Sequence, residues 1–260
     1  YDVIVIGAGL TGLVAAAAAA RGGSKVLVAA KGVGAITIGG GTIDVLGYGY
    51  DGRPVASPAA ATAALPAGHP YSRVGPAAVA AALDFFLEIC AAAGYPYCGS
   101  PAANRWLPTA AGTLKPSCLV PRTMETADAA AAERFVALGF TGLKDFYPAV
   151  VARGLAAGPY GKPCDVVEID LGWKQGRDIT ALDIARWLDG EAGREECAAR
   201  LKSCIPAGSF VLMPPVLGTR PDYAAWTMLA AATGCRLAET VAIPPAVTGF
   251  RLRRLLRPRW

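Results

Sequence analysis

The apolar positions at the start of the chain form two short runs on either side of an alanine-rich segment. Residues 3–6 are consecutive β-branched residues and predict a buried parallel strand that ends at Gly7. Residues 11–21 are mostly alanine, the best helix former, and predict a helix. Residues 25–29 form the second apolar run and predict a second strand. This order of elements predicts a βαβ unit.

Apolar periodicity changes along the rest of the chain. Residues 51–76 are rich in proline, alanine and glycine and predict a linker or extended crossing segment, whereas the all-round apolar residues 77–94 predict a well-buried helix. Residues 97–120 predict short strands and turns, with a hairpin at 112–117. Further strands are predicted at 135–140, 165–171, 209–213 and 236–243, and helices at 146–157, 180–188, 194–204 and 222–233. Alternating strands and helices predict a second, largely parallel sheet.

The turn between the first strand and the first helix has the spacing GxGxxG. In such a turn Gly7 permits the sharp bend, Gly9 lets the backbone approach a pyrophosphate, and Gly12 allows close packing of helix and strand. The first turn of the helix offers free N–H groups and a positive dipole end to phosphate. Our candidate cofactor-binding residues are Gly7, Gly9, Leu10, Thr11, Gly12, Lys31, Gly41 and Thr42.

These patterns predict an α/β fold that combines a doubly wound, Rossmann-like FAD/NAD(P)-binding half-domain with an inserted α/β domain. Residues 1–68 are assigned to the dinucleotide-binding domain, and residues 69–260 to an inserted cap or partner-binding domain. The glycine-rich segment 32–44 follows the second strand. It is either a ligand-contacting loop or a flexible connection, and Thr42 and Asp44 are its strong polar groups.

The end of the second strand lacks the acidic residue that usually holds the ribose of a dinucleotide. Ala30 and Lys31 stand there, and no Asp or Glu occurs between Asp2 and Asp44. Lys31 is either a contact for a 2′-phosphate, as in NADP-dependent enzymes, or a surface lysine. This departure leaves the identity of the cofactor open.

Composition and single residues narrow the function classes. The net charge of +5 is concentrated near residues 251–260, which form a solvated or partner-facing helix rather than a nucleic-acid-binding surface. The seven cysteines show no metal-ligand spacing, so we expect a reducing cytoplasm, no metal site and no iron–sulfur cluster held by this chain. The uncharged residues 3–20 are divided by the glycine turn, so we expect no membrane span.

Three polar positions have both a functional and a structural interpretation. His69, the single histidine, is either a general acid or base or a turn residue bonded to backbone. Lys115, and Lys144 with Asp145, stand beside glycines in predicted loops. They bind an anionic substrate or a flavin phosphate, or they are ordinary loop charges. No catalytic residue is assigned from the sequence.

Several phrases, in order along the chain, resemble the B subunit of anaerobic glycerol-3-phosphate dehydrogenase. They are IGAGLTGL, GGGTIDVL, HPYSRVGP, GTLKPS, GFTGLKDF, VLMPPVLG and IPPAVTGFRLR. The resemblance covers roughly the first three-fifths of a family member, so we expect the C-terminal completion of the flavin domain to be absent. It implies a flavoprotein with FAD or FMN at Gly7, Gly9 and Gly12, in which FMN would need no adenosine ribose anchor.

The resemblance also implies the setting in which the chain works. Family members belong to an assembly that oxidises sn-glycerol 3-phosphate to dihydroxyacetone phosphate and passes electrons to quinone. The partners are a catalytic A subunit and an iron–sulfur C subunit that attaches the complex to the cytoplasmic face of the inner membrane. Two alternatives stay open, a non-catalytic scaffold subunit with a degraded flavin fold and an NAD(P)-dependent oxidoreductase.

Overall fold

The structure, a computed structural model, describes residues 1–125, 134–158, 161–173, 178–241 and 246–257. Strand β1 (Val3–Ile6) leads through the glycine turn into helix α1 (Leu10–Arg21) and strand β2 (Val26–Ala29). The two strands pair in parallel, with Val3 opposite Val26. The predicted βαβ unit is therefore confirmed.

The prediction that the first strand is buried is wrong. The side chains of Ile4 and Ile6 are 61% and 88% exposed, whereas those of Val3 and Val5 are partly covered. Successive side chains of a strand point to opposite faces. Within the described residues β1 pairs with β2 alone, and one face of this two-stranded sheet has no covering layer.

The proline-rich segment after β2 contains more regular structure than the sequence pattern predicts. A 3₁₀ turn (Ala35–Ile38) is followed by helices α2 (Pro58–Ala63), α3 (Pro70–Val74) and α4 (Pro76–Ala92). The linker prediction for residues 51–76 is therefore wrong, because proline is well suited to the first turn of a helix. The prediction of a well-buried α4 is also wrong, since it buries Leu83, Phe86 and Cys90 while most of its alanines face solvent.

Short antiparallel pairs follow α4, as predicted. Strands β3 (Tyr97–Gly99), β4 (Arg105–Pro108), β5 (Leu114–Ser117) and β6 (Leu119–Pro121) precede the short helix α5 (Arg122–Glu125). β4 and β5 form the expected hairpin, and β3 pairs with β6.

The second half of the chain forms the predicted parallel sheet. Its strands are β7 (Phe135–Phe140), β8 (Cys164–Ile169), β9 (Phe210–Met213) and β10 (Arg236–Glu239), in the order β10-β9-β7-β8. Helices α6 (Pro148–Ala157), α7 (Ala181–Leu188), α8 (Glu191–Cys204) and α9 (Ala224–Thr233) lie between the strands. Residues 242 and 243 of the predicted last strand lie outside the described residues. With its parallel strand pairing, this is the predicted α/β, Rossmann-like fold.

Helix α10 (Val247–Leu256) joins the second sheet to the first unit. Gly249 lets its backbone lie against the 3₁₀ turn, because a Cβ there would be 2.3 Å from the carbonyl oxygen of Ile36. Arg251, expected within a solvated or partner-facing basic helix, is instead buried against Glu239 of β10. Residues 258–260 of that basic segment lie outside the described residues.

Two large hydrophobic clusters form the core. One surrounds the four-stranded sheet, and the other combines Leu13 and Ile36 with Phe86, Tyr95 and Leu252. The second cluster therefore contains residues from both sides of position 68. The domain boundary between residues 68 and 69 stays a prediction.

Candidate functional site

A cavity of about 700 Å³ opens at the carboxyl end of β1. This volume lies within the range of small-molecule and cofactor sites. The cavity is lined by Val5, Ile6, Gly7, Gly9, Leu10, Thr11, Gly12, Ala15, Ala35, Ile36, Gly39, Gly41, Thr42 and Leu252.

The structure brings together seven of the eight predicted cofactor-binding residues. The glycine turn and the first helical turn contribute Gly7, Gly9, Leu10, Thr11 and Gly12, and the loop after the 3₁₀ turn contributes Gly41 and Thr42. The eighth, Lys31, is exposed just beyond β2 and is not among the lining residues. A cofactor contact by Lys31 stays a prediction.

The glycine turn places the N-terminus of α1 at the cavity. Gly9 is the N-cap residue, no side chain caps the helix, and its first turn contains no acidic residue. The first N–H groups and the positive end of the helix dipole are therefore available to an anion. The glycine turn thus has the geometry that binds the diphosphate of a dinucleotide.

Two glycines of the turn serve different purposes. A Cβ on Gly12 would lie 2.1 Å from the carbonyl oxygen of Gly7, so this position needs glycine for the fold itself. A Cβ on Gly9 would meet no protein atom within 4 Å, yet Gly9 lines the cavity. Gly9 therefore keeps space open for a ligand rather than for the protein's own packing.

Hydrogen bonds from three directions fix the second wall of the cavity, the loop 39–44. Thr248 of α10 donates to the carbonyl of Gly40 (2.9 Å), and the Tyr97 hydroxyl donates to the carbonyl of Gly41 (2.7 Å). Ile43 and Leu119 exchange backbone hydrogen bonds at 2.9 Å. Burial raises the pKa of Tyr97, as does the neighbouring Tyr95, so Tyr97 keeps the proton that it donates.

A polar network lies directly behind Thr42. The Thr42 hydroxyl donates to Asp44 Oδ1 (2.9 Å) and accepts from Lys115 Nζ (3.1 Å). Lys115 is also paired with Asp44 Oδ2 at 2.5 Å, and Ser117 Oγ donates to Asp44 Oδ1 at 2.8 Å. The two charges therefore compensate each other, and the contact with the cavity is made by the Thr42 hydroxyl.

The wall of the cavity is otherwise apolar. Among its described lining residues, Thr11 and Thr42 alone have polar side-chain atoms, and none is titratable. Such a wall suits an aromatic cofactor whose phosphates are held by backbone N–H groups. It offers no general base for the oxidation of an alcohol.

The other candidates from the sequence have structural partners. His69 is the N-cap of α3, where its Nδ1 accepts a hydrogen bond from the Tyr71 backbone N–H (3.1 Å), as in the backbone-bonded interpretation. Lys144 forms an exposed ion pair with Asp178 at 2.6 Å.

Metal ligands, disulfides and membrane-spanning helices are absent from the part of the chain that the structure describes. Those ranges contain no group of three or more His, Cys, Asp and Glu side chains that would hold a metal ion. All seven cysteines are free thiols. None of the helices in the described ranges combines the length and apolar character needed to cross a membrane.

Some contributors to the cavity were missed by sequence reasoning. Leu252 and Thr248 lie about 200 residues further along the chain than the glycine turn, and no local pattern links them to it. The network of Asp44, Lys115 and Ser117 has a weak signal in the sequence, because Asp44 and Lys115 are both polar groups in glycine-containing loops.

The residues present fit the phosphate and flavin portions of a dinucleotide better than its adenosine portion. The open space at Gly9 and the uncapped N-terminus of α1 fit a diphosphate. At the end of β2, exposed Ala30 occupies the position where a ribose-binding carboxylate is usual.

Comparison with known proteins agrees with this geometry. The family model described as FAD binding domain matches residues 2–257. Proteins named as the B subunit of anaerobic glycerol-3-phosphate dehydrogenase are similar over nearly the whole chain. That of Vibrio cholerae serotype O1 is 32% identical over 98% of this chain and 62% of its own length, that of Vibrio vulnificus 27% over 100% and 62%, and that of Pectobacterium atrosepticum 29% over 100% and 64%.

These figures also define the extent of the similarity. The chain spans about three-fifths of the length of the curated relatives that it matches. No solved structure matched the chain.

Proposed function

Because the chain belongs to the FAD binding domain family, we propose that it acts as the flavoprotein B subunit of an anaerobic glycerol-3-phosphate dehydrogenase. Its role is to relay electrons from the oxidation of sn-glycerol 3-phosphate to dihydroxyacetone phosphate towards quinone. FAD, the cofactor of the family, supplies the redox chemistry when bound.

The observation that carries this proposal is the ligand-ready glycine turn. Gly9 leaves room beside an uncapped helix N-terminus, and this space is continuous with an apolar cavity large enough for a cofactor. Gly7, Gly9, Leu10, Thr11 and Gly12 hold the diphosphate. Gly41 and Thr42 form the opposing contact.

An electron relay accounts for the chemistry of the cavity better than direct substrate oxidation does. Removing hydrogen from a secondary alcohol requires a group that accepts the hydroxyl proton. The described lining residues supply no titratable side chain for that purpose. A partner subunit that carries the substrate site would resolve this shortage.

The proposed setting follows the relatives' name. The partners are a catalytic A subunit and an iron–sulfur C subunit, and the assembly lies on the cytoplasmic face of the inner membrane. Residues 1–68 serve as the N-terminal part of the flavin-binding domain. Residues 69–260 serve as the inserted domain that contacts partner subunits.

One observation favours a second candidate, a scaffold subunit that has lost its cofactor. The position of the ribose anchor is held by Ala30, and Lys31 beside it is exposed. A chain of this kind would keep the βαβ unit for its structure and bind partners without flavin.

The experiment that tests these proposals starts with the purified chain. We expect heat to release FAD, identified by chromatography, and we expect Gly9→Val to abolish its retention while the circular dichroism spectrum stays that of the parent chain. The matched control is Ala18→Val, which adds a side chain of the same size at an exposed position of α1 away from the cavity.

The relay itself is tested with the partner subunits. Glycerol 3-phosphate should bleach the flavin absorbance of this chain only when the A subunit is present. A folded chain that takes up no FAD would support the scaffold instead. Oxidation of NADPH by the chain alone would support the nicotinamide-dependent alternative.

A further inference from the structure

The hydrogen bonds of Thr42 determine what its hydroxyl can offer to the cavity. A hydroxyl has one donor hydrogen and two acceptor lone pairs. Asp44 Oδ1 takes the hydrogen (2.9 Å), and Lys115 Nζ donates to one lone pair (3.1 Å). The remaining capacity of the Thr42 hydroxyl is a single lone pair, so it can accept a hydrogen bond from a ligand but cannot donate one.

This restriction selects which part of a dinucleotide lies against Thr42. Ionised phosphate oxygens are acceptors only and gain nothing from an acceptor. They are suited to the N-terminus of α1, where free N–H groups point to the cavity. Groups with N–H or O–H donors, namely the two nucleoside-like ends of FAD, suit Thr42.

The position of β2 separates the two ends of the cofactor. In dinucleotide-binding units the adenosine ribose lies at the end of the second strand. Among the described residues that line the cavity, none comes from β2, whereas β1, α1 and the loop 39–44 all contribute. The Thr42 side of the cavity is therefore the flavin side, where the donors are the ribityl hydroxyls and the ring N–H.

We propose that the Thr42 hydroxyl is the hydrogen-bond acceptor for the flavin half of FAD, and that Asp44 and Lys115 are positioning residues that fix its orientation. This inference rests on the proposed function, since it requires FAD in this cavity. Ser117 completes the arrangement, because its hydroxyl donates to the same Asp44 oxygen (2.8 Å) and holds the carboxylate in place.

The wall around Thr42 does not depend on its hydroxyl. Gly40 and Gly41 are held by Thr248 and Tyr97, and Ile43 is held by Leu119. Replacing the hydroxyl by a methyl group therefore removes one ligand contact without releasing the loop. This makes Thr42→Val an informative variant.

The first test compares FAD with ADP, which contains the adenosine and diphosphate but lacks the flavin half. Dissociation constants are measured by isothermal titration calorimetry, with ADP measured in competition where needed. We expect Thr42→Val to weaken FAD about tenfold, the effect of one net hydrogen bond, and to change ADP less than about twofold. Thr42→Ser, which keeps the hydroxyl, should bind FAD within about threefold of the parent chain.

The second test addresses the positioning residues. Asp44→Asn presents an amide that can donate to Thr42 and so reverse the hydroxyl. We expect Asp44→Asn to weaken FAD as much as Thr42→Val does, and the double variant to lose no more than either single variant. Lys144→Met, which removes an exposed lysine from an ion pair with Asp178, is the control for Lys115→Met.

The outcomes separate this inference from the proposed function. If the parent chain binds FAD and Gly9→Val abolishes binding, but Thr42→Val leaves FAD affinity unchanged or weakens FAD and ADP equally, the inference is overturned alone. Additive effects of Asp44→Asn and Thr42→Val would overturn the positioning role. A folded parent chain that binds no FAD would refute the proposed function and this inference together.

Discussion

The buried ion pair between Arg251 and Glu239 is expected to be the most consequential polar contact for folding. Both side chains are about 1% exposed, and Arg251 Nη1 and Nη2 donate to the two Glu239 carboxylate oxygens at 2.5 and 2.7 Å. Arg251 Nε donates to the carbonyl of Gly218 (2.7 Å), and Glu239 accepts from the backbone N–H of Leu217 (2.8 Å). The pair therefore fastens α10 to the four-stranded sheet.

Replacing Arg251 with Met should cost a large part of the stability. The change leaves a buried carboxylate without its cation and the Gly218 carbonyl without its donor. Removing one partner of a buried pair costs about 3–5 kcal/mol, against a total of about 5–15 kcal/mol for typical domains. Burial works to lower the pKa of Arg251, but the charge of Glu239 outweighs this and raises it, so the pair is ionised in the native chain.

Urea denaturation followed by circular dichroism measures this loss. With an m-value of about 2–3 kcal/mol/M, a loss of about 4 kcal/mol lowers the urea midpoint by about 1.3–2 M. The double variant Arg251→Met/Glu239→Leu should lose less than the sum of the single losses by at least about 2 kcal/mol, because no buried charge is left unpaired. A single-variant loss below about 1 kcal/mol would refute the reasoning.

Three further predictions concern other parts of the chain. Gly12→Ala should lower the thermal midpoint as well as FAD retention, since its Cβ would lie 2.1 Å from a carbonyl oxygen, whereas Gly9→Ala should affect retention alone; equal midpoints for both variants would contradict this. Thr180→Ala removes the capping box that Thr180 forms with Asp183 at the start of α7, and should cost about 1 kcal/mol in urea denaturation. Burial raises the pKa of the Cys90 thiol to about 12, so between about pH 9 and that value the unfolded state loses a proton that the native state keeps and stability falls as pH rises; Cys90→Ala should reduce this fall by about 1.4 kcal/mol per pH unit, and an unchanged pH dependence would contradict the assignment.

The opening unit could be predicted from local sequence because each of its elements depends on near neighbours. The β-branched residues 3–6, the glycine spacing and the alanine-rich helix each favour one local conformation, and their order matches a single supersecondary unit. The alternation in the second half was equally informative, and the parallel sheet β10-β9-β7-β8 follows from it. Boundaries were less accurate, as with the predicted linker at 51–76, because a local apolar pattern cannot distinguish an extended crossing from short proline-initiated helices.

Exposure and long-range pairing required the tertiary structure. Ile4 and Ile6 have the same local signal as a buried strand, but their exposure is decided by whether another layer covers that face of the sheet. Arg251 lies in a basic run that indicates a solvated helix, and only the approach of Glu239 from β10 makes its burial favourable.

The same division applies to the candidate site. The sequence by itself determined the glycine turn, the helix that follows it and the cluster of Gly41 and Thr42, because chemistry and spacing are both local there. The tertiary structure decided that these segments face one cavity, that Leu252 closes it from a distant helix, and that Asp44 and Lys115 leave Thr42 with a single acceptor lone pair. Such contacts join residues far apart in the chain, and their geometry is fixed only when the packed elements bring them within hydrogen-bonding distance.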